Sequence, residues 1–346
     1  MSRIARLAAG LDEPLLVTNL VNVLYLSGLE SSNAAILVDP AGEATLYTDF
    51  RYAEAASEIE GVTFQQTPRA VVPALAELLA GKRVGVEAPH LSLASADALR
   101  GGGVDVVSTS GLVERLRAVK EPGELDTMRR AAEISDQVYD ELSRQPVVGR
   151  TESEIAWWLE QACHEAGADG AAFDSIVAFG ENGARPHAKL RDEPIPADTL
   201  VVVDFGCAVD GYRSDCTRTF FTGEPEGRLR DLYDLCLQAQ LDALAAVRAG
   251  AAGRDVDAAS RVAITAAGMG EKYGHGLGHG VGLDIHEAPN MRPESDAVLE
   301  TGNVVTVEPG IYLPGDVGVR IEDMVVVTGD GCERLTNVTK EPVAVG

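Results

Sequence analysis

Long apolar runs and basic residues are both scarce in this chain of 346 residues. No stretch approaches the roughly 20 apolar residues of a membrane-spanning helix, and the first ten residues lack the apolar core of a secretory signal. We therefore expect a cytoplasmic protein without membrane contact. Only 29 Lys and Arg oppose 54 Asp and Glu, which gives a formal net charge of −25. Nucleic-acid binding needs basic patches, so this balance argues against it.

Cysteine is also scarce. The five cysteines are scattered along the chain, and no two are spaced as a CxxC pair. An odd number without such spacing predicts reduced thiols packed in the core, as in cytoplasmic proteins, and argues against disulfides or a structural zinc site.

Four acidic residues lie in strand-like, apolar stretches where a carboxylate is out of place. Asp204 follows three valines, Glu308 follows Val-Val-Thr-Val, and Asp215 and Glu322 lie in comparable segments. Burying a charge is costly unless the charge is paired or bound to a metal. The four acids together therefore predict a cationic centre.

Each pair of acids flanks a turn. Asp204 and Asp215 flank Asp210-Gly211, a strong hairpin signal. A turn centred before Asp210 places the two acids directly opposite, and a turn centred after it places them diagonally, but both registers put them on one face. Glu308 and Glu322 flank a Pro-Gly turn with the same parity. Two hairpins can thus present two carboxylates each to a common centre.

Charge balance indicates the kind of centre. Four carboxylates in one pocket repel each other, and two divalent cations would cancel their charge. His279 adds a single nitrogen ligand to this oxygen-rich set. Such a set suits manganese better than it suits a structural zinc ion, with cobalt or zinc as alternatives. We therefore expect two divalent ions per chain, with manganese favoured.

A glycine-rich segment, 274–287, contains half of the six histidines: His275, His279 and His286. The segment does not match GxGxxG, so it does not predict dinucleotide binding. Its glycines also argue against a zinc-binding helix that would carry His275 and His279. We expect them to allow close approach of the backbone to metal or substrate.

Two further residues can be placed only in part. His187 is predicted to lie in a loop, where a functional role and a plain surface position are both open. Arg320 lies two residues before Glu322, hence on the same strand face, and can orient an acid of the metal site.

The pattern of elements divides the chain near residue 117. Residues 1–117 alternate short apolar strands with helical patterns, which predicts a small α/β domain. In residues 118–346 the order of helix, helix, strands and acidic hairpin occurs twice. The first pair of helices is predicted to begin at Pro122 and after Thr151, and a strand is predicted over 173–179. We expect one domain built from two duplicated halves.

The acidic pattern, Asp-x10-Asp followed by His279, Glu308 and Glu322, resembles the M24B-type pita-bread metallopeptidases, the creatinase/prolidase superfamily. Residues 1–117, with YTDFRY at 47–52, resemble the creatinase/prolidase N-terminal domain. The stretches HGLGHGVGLDIHE and VEPGIY match the pattern of the proline-specific members. The resemblance implies an α/β N-terminal domain and an α+β pita-bread catalytic domain with pseudo-twofold duplicated halves.

The resemblance also implies an activity and roles for residues. The activity is dinuclear metal-dependent hydrolysis of the Xaa-Pro bond, with dipeptides favoured as substrates. It implies Glu308 as general base, His187 and His286 as groups that stabilise the oxyanion or leaving group, and His275 as a substrate contact. The implied metal ligands are Asp204, Asp215, His279, Glu308 and Glu322. It implies a homodimer as well.

A dipeptidase must recognise the free carboxylate that follows proline, which an arginine can bind through two hydrogen bonds. Arg51 is the candidate in the N-terminal domain, and Arg320 is a second if it is not committed to the metal site. The alternative activity is that of an Xaa-Pro aminopeptidase acting on longer peptides. Three further types of protein share the fold: methionine aminopeptidases, creatinase-like enzymes that work without metal, and non-catalytic pita-bread binding modules.

Overall fold

The computed structural model describes all 346 residues. The chain forms two compact units, Met1–Arg117 and Ala118–Gly346. No helix in either unit combines the length and the apolar composition that crossing a bilayer requires. All five cysteines are free thiols.

The N-terminal unit is an α/β domain with one six-stranded sheet in the order β4-β3-β2-β1-β5-β6. The strands are β1 (Leu15–Val17), β2 (Ala34–Val38), β3 (Ala44–Thr48), β4 (Thr63–Gln66), β5 (Arg83–Glu87) and β6 (Asp105–Thr109). The helices are α1 (Arg3–Ala8), α2 (Leu20–Ser27), α3 (Ala53–Ser57), α4 (Val71–Leu78), α5 (Leu93–Gly101) and α6 (Leu112–Ala118). β2 is antiparallel to both of its neighbours, and the other pairs are parallel.

The elements of this unit that the apolar pattern did not predict include β4 and α2. β4 is mostly exposed and polar, so it lacks the alternation that marks a half-buried strand. α2 is a short aliphatic helix, which periodicity alone does not distinguish from a strand. Its ends did carry a signal, because the Asn19 side chain accepts a hydrogen bond from the Val21 N–H and Gly28 ends the helix with φ of 80°.

The C-terminal unit contains α7 (Pro122–Leu142), α8 (Glu152–Glu165), α9 (Gly180–Gly183), α10 (Gly227–Ala246), α11 (Gly253–Ala266) and a 3₁₀ turn (Gly270–Lys272). The predicted start of α8 after Thr151 is confirmed, and a capping box forms there. The Thr151 hydroxyl accepts from the Glu154 N–H at 3.1 Å, and the Glu154 carboxylate accepts from the Thr151 N–H at 2.9 Å. α7 begins with Pro122 in its first turn, as predicted.

The strands of this unit form four small sheets. They are β7 (Gly170–Ala171), β8 (Ile176–Phe179), β9 (Leu200–Asp204), β10 (Cys207–Val209), β11 (Tyr212–Arg213), β12 (Thr217–Phe221), β13 (Gly278–Gly280), β14 (Glu287–Met291), β15 (Val304–Val307), β16 (Gly310–Tyr312), β17 (Gly318–Arg320), β18 (Asp323–Val327) and β19 (Cys332–Arg334). The strand predicted over 173–179 begins only at Ile176.

The two halves of the unit repeat one layout. α7 and α8 precede the hairpin from β9 to β12, and α10 and α11 precede the hairpin from β15 to β18. In each half the first acid of the hairpin follows the first helix start at nearly the same distance along the chain. The predicted duplicated order of elements is therefore present.

The first acidic hairpin adopts the diagonal register. Val209 pairs with Tyr212, and Asp204 pairs with Thr217. Asp215 therefore lies two residues from Thr217, the residue opposite Asp204. In the second hairpin the pairing of Gly310 with Arg320 puts Glu308 and Glu322 opposite each other by continuation.

The expectation that every acid lies within a strand is wrong for three of the four. Only Asp204 belongs to a strand, whereas Asp215, Glu308 and Glu322 occupy interruptions between strands. At one of these interruptions the Glu322 N–H donates to the Thr217 carbonyl of the other hairpin at 3.1 Å. The broken ladders thus join the two hairpins at the acids.

Candidate active site

The acids face a cavity of about 630 Å³ whose walls are formed by residues between Phe173 and Glu322. Nine of the predicted site residues line it: Asp204, Asp215, His279, Glu308, Glu322, His187, His275, His286 and Arg320. The tertiary structure therefore brings together side chains that are far apart in the sequence.

The ligand atoms converge most closely at three residues. One side-chain atom each of Asp215, His279 and Glu322 lie within 4.8 Å of one another. The His279 Nε2 atom is 3.7 Å from Asp215 Oδ2 and 3.3 Å from Glu308 Oε1. Asp204 lies in the same cavity. This is the convergence of oxygen and nitrogen atoms that a metal site requires.

Arg320 and Thr217 connect the two hairpins beside the acids. The Arg320 guanidinium donates from Nη2 to Asp204 Oδ2 at 2.7 Å and from Nε to Thr217 Oγ1 at 3.0 Å. The Thr217 hydroxyl in turn donates to Glu322 Oε2 at 2.7 Å. Arg320 was expected to orient an acid of the site, and the acid it contacts is Asp204. The Thr217 hydroxyl contacts Glu322 and not Asp215, which lies two residues before it.

The protein groups around the buried acids do not neutralise all of their negative charge. Burial, together with the charges of neighbouring carboxylates, raises the pKa of Asp215 and Glu322 well above the usual range. Burial also raises the pKa of Asp204, although Arg320 opposes that rise. The Asp204 Oδ1 atom is buried and has no hydrogen-bond partner. An orphaned oxygen among repelling carboxylates fits bound cations, and the oxygen-rich donor set with one imidazole fits divalent metal ions.

Glu308 differs from the other acids. Burial alone would raise the pKa of its carboxyl, but the hydrogen bond and the charge of His279 outweigh burial and bring the pKa to about 2. The Thr306 hydroxyl donates to Glu308 Oε1 at 3.1 Å and accepts from the His279 N–H at 3.1 Å. Glu308 is thus held as a carboxylate next to the imidazole.

His275 takes part in a hydrogen-bond chain that ends at Arg320. Its Nε2 atom is 2.9 Å from the Tyr312 hydroxyl, which accepts from Arg320 Nη1 at 2.9 Å. The His275 Nδ1 atom is 2.8 Å from the Gly276 carbonyl. Burial lowers the pKa of His275, so we assign the neutral ring with the proton on Nδ1. Both ring nitrogens are then engaged within the protein.

The other two cavity histidines are placed differently. The rings of His286 and His279 meet edge to face with centroids 4.3 Å apart. Burial lowers the pKa of His286, and the charge of His279 adds to that effect. His187 reaches the cavity from the loop after α9 and makes no hydrogen bond through its ring. Both rings have nitrogen atoms available to a substrate.

The glycines of the histidine-rich segment also pack closely against neighbouring strands. A Cβ atom on Gly278 would collide with the Thr306 carbonyl, and one on Gly280 would collide with the Ala288 carbonyl. The close approach is therefore to neighbouring strands, and Gly276 and Gly278 also line the cavity. The close approach packs β13 tightly between β14 and β15 and so sets the position of His279.

Replacing Gly278 with alanine should test this packing. We expect a loss of stability of about 1–3 kcal/mol, because the new methyl group must push β13 away from β15. Gly274 is the matched control, since nothing lies within 4 Å of a Cβ atom built there. Denaturant unfolding of both variants provides the measurement. Equal stability of Gly278→Ala and Gly274→Ala would contradict the close-packing explanation.

Arg51 lies in the N-terminal unit, outside the set of cavity residues. Its guanidinium donates from Nε to Asp49 Oδ1 at 2.8 Å and from Nη2 to Asp49 Oδ2 at 2.7 Å. Its side chain keeps 32% of its exposure, and Nη1 has no partner within the unit. Asp49 therefore fixes the direction of the arginine while one nitrogen stays available.

Several residues in or next to the cavity were not singled out from the sequence. Tyr312 carries the contact between Arg320 and His275, and Phe173, Asp174, Asn290 and Arg292 form parts of the wall. Tyr312 has the same strand parity as Glu308, and that signal could have found it. The others lie in or beside irregular segments, where parity gives no guidance.

Comparison with known proteins identifies the family. The model of metallopeptidase family M24 matches residues 126–329, and that of the Creatinase/Prolidase N-terminal domain matches residues 5–119. The chain belongs to metallopeptidase family M24. Its M24 architecture confirms the predicted fold class, an α/β N-terminal domain with an α+β pita-bread catalytic domain.

Individual relatives cover nearly the whole M24 chain. The solved structure of an Xaa-Pro dipeptidase from Bacillus anthracis has a TM-score of 0.94 and 37% identity, covering 99% of both chains. The Xaa-Pro dipeptidase of Pyrococcus furiosus is 33% identical over 93% of this chain and 92% of its own length. The structure of an X-Pro aminopeptidase from Thermotoga maritima has a TM-score of 0.88 and 33% identity, covering 96% of this chain and 97% of its own.

Proposed function

We propose that this metallopeptidase hydrolyses the Xaa-Pro bond of dipeptides. The observation that carries the proposal is the convergence of Asp215, His279 and Glu322 in one cavity with Asp204 and Glu308. The similarity to Xaa-Pro dipeptidases over nearly the full length supports the substrate class. We assign residues 1–117 to the N-terminal domain and 118–346 to the catalytic domain.

The five residues predicted as ligands would hold two divalent ions, and we propose manganese as the metal. Bound ions supply Lewis-acid charge, which polarises a carbonyl oxygen and lowers the pKa of water. Arg320 holds Asp204 in place, and Thr217 does the same for Glu322. This hydrogen bonding fixes the carboxylates before substrate arrives.

The protein residues then account for proton movement. Glu308 is held as a carboxylate and accepts a proton from the attacking water. The water oxygen adds to the carbonyl carbon before proline, the C–N bond breaks, and the proton passes to the imino nitrogen. His187 and His286 donate hydrogen bonds to the developing oxyanion or the leaving group. His275, with both nitrogens engaged, contributes shape to the substrate pocket.

The direct test is a panel of Xaa-Pro dipeptides, Xaa-Pro-Yaa tripeptides and Met-Ala on protein loaded with manganese. We expect the dipeptides to be cleaved fastest and chelation to abolish cleavage. Faster cleavage of the tripeptides would favour the Xaa-Pro aminopeptidase alternative, which the similarity to the Thermotoga maritima enzyme supports. Failure to cleave either proline series would refute the proposed function.

Arg51 is our proposed contact for the substrate carboxylate. We expect Arg51→Ala to raise KM for dipeptides about 10-fold or more, because a charge-assisted hydrogen bond is lost. KM for tripeptides should change less. Arg100, an exposed arginine of the same domain, is the matched control. Steady-state kinetics on both substrate lengths would make the comparison, and an unchanged length preference in Arg51→Ala would remove this role.

Two proposals concern the protein as a whole. We propose a homodimer, as the family resemblance implies, and a cytoplasmic location, in keeping with five free cysteines. Light scattering of the purified chain measures the first directly.

A further inference from the structure

The loop that carries His187 is closed by a buried carboxylate with no assigned role. This loop, residues 180–191, which we call the return loop, leaves β8 and comes back beside it. Pro186 and His187 at its tip line the cavity. The His187 ring makes no hydrogen bond, and the tip is tied to the site only where Arg320 Nη1 donates to the Pro186 carbonyl at 3.3 Å. The position of His187 therefore depends on how the loop is closed.

Glu152 closes both ends of the return loop. Its Oε1 atom accepts from the Phe179 N–H at 2.9 Å, just before the loop begins. Its Oε2 atom accepts from the Arg191 N–H at 2.8 Å, where the loop ends, and from Asn182 Nδ2 at 2.8 Å. One carboxylate thus binds the two ends and the first turn of the loop.

Asn182 extends this closure. Its Nδ2 atom also donates to the Lys189 carbonyl at 2.9 Å, so both amide hydrogens are used. Its Oδ1 atom is buried without a partner, which shows that the amide is placed for donation. Asn182 and Glu152 are both fully buried. Burial raises the pKa of Glu152, and no guanidinium or ammonium group hydrogen-bonds to it. A buried carboxylate without an ion pair is costly, so its retention indicates a specific task.

We propose that Glu152 is a positioning residue for His187, holding the return loop so that the imidazole faces the reacting bond. The inference rests on the proposed function, because it presumes that His187 acts on the substrate. Glu152 itself does not line the cavity and acts only through the loop. A misplacement of about 1 Å at a reacting group can cost roughly 10²-fold in rate.

The test is a double-mutant cycle of Glu152→Gln and His187→Ala in the manganese-loaded enzyme. In glutamine an NH₂ group replaces one acceptor oxygen and opposes an N–H donor. We expect Glu152→Gln to lower kcat about 10- to 100-fold with KM and metal content nearly unchanged. The double variant should be no slower than His187→Ala alone, because Glu152 acts through that residue. If the fold-losses in kcat of the two single variants multiply in the double variant, the proposal is overturned.

Glu181→Gln is the matched control. Glu181 also links the return loop, since its carboxylate accepts from Arg191 Nη1 at 3.1 Å, but this pair is exposed. We expect it to change kcat less than about twofold. If Glu152→Gln does not fold, Asn182→Ala replaces it in the cycle, because it loosens the loop and leaves the two backbone contacts of Glu152 in place.

Hydrogen exchange separates failure of the two proposals. In Glu152→Gln the amides of Phe179 and Arg191 should lose protection whether or not the enzyme cleaves proline peptides. Unchanged protection overturns the closure of the loop by Glu152. Loss of protection without cleavage of any Xaa-Pro peptide by the wild type overturns the proposed function alone. Wild-type activity in His187→Ala overturns the link between the loop and catalysis.

Discussion

Glu308→Gln is expected to lower kcat/KM for Xaa-Pro dipeptides by about 10³-fold or more, because a glutamine cannot accept the proton of the attacking water. The structure holds Glu308 as a carboxylate, with a pKa of about 2, through His279. The Thr306 hydroxyl fixes the same side chain. Hydrolysis of an Xaa-Pro dipeptide, followed by release of proline, measures the effect.

The control must separate proton transfer from loss of charge in the cavity. Asp174 lines the same cavity, makes no ion pair and is not a predicted ligand. We expect Asp174→Asn to retain activity within about 10-fold, a range far smaller than that attributed to a general base. Metal content of both variants should be measured by elemental analysis. A Glu308→Gln enzyme that retains its metal and its rate would show that another group accepts the proton.

The largest effect on stability is expected from Arg218→Met. Arg218 and Asp323 form an ion pair of 2.7 Å whose side chains are 2% and 0% exposed. Removal of one partner of a buried pair costs about 3–5 kcal/mol. Asp323 would keep Lys340 Nζ at 2.7 Å, so we expect the lower end of that range. Arg218 also donates to the carbonyl oxygens of Thr217 and Glu322, so the loss should also weaken metal retention. Denaturant unfolding and equilibrium dialysis of metal measure the two effects.

An exposed pair in the same unit gives the comparison. Arg228 binds Asp316 through two hydrogen bonds, but the side chains are 62% and 41% exposed. Such pairs contribute about 0–1 kcal/mol, so Arg228→Ala should be nearly neutral. Similar losses in the two variants would mean that burial does not set the value of the Arg218 pair.

The elements that could be predicted had strong local signals. α8 has a capping box at Thr151, α7 starts with Pro122, and the acids stand out against apolar neighbours. The candidate ligand set followed from chemistry, because carboxylates that repel each other favour bound cations. The strand breaks at Asp215, Glu308 and Glu322 could not be predicted from local pattern. At Glu322 the N–H donates to Thr217 of the other hairpin, about 100 residues away, and at Glu308 the N–H donates to Leu277.

The hydrogen bonds around the acids also could not be predicted from local sequence pattern. Alternation along the chain places Thr217 on the same side as Asp215, but the Thr217 hydroxyl donates to Glu322 in the other half. The alternation of faces along a strand predicts side-chain neighbours only within one ladder. The prediction fails where another segment lies closer to the side chain than the residue two positions away in sequence. The same reason explains why Glu152 drew no attention. In the sequence Glu152 is an ordinary acidic residue of a first helical turn. Its hydrogen-bond partners lie 27 to 39 residues away.

The sequence by itself determined the set of chemical groups. The acids of two hairpins and His279 were expected to meet a cation, because burial of unpaired carboxylates is costly. The tertiary structure alone decided how each group is held. The pairing of Arg320 with Asp204, the chain from Tyr312 to His275 and the closure of the return loop all join segments far apart in sequence. The first of these contacts depends on how the two halves of the domain pack, and the other two depend on how separate elements pack within one half. Local sequence pattern encodes neither.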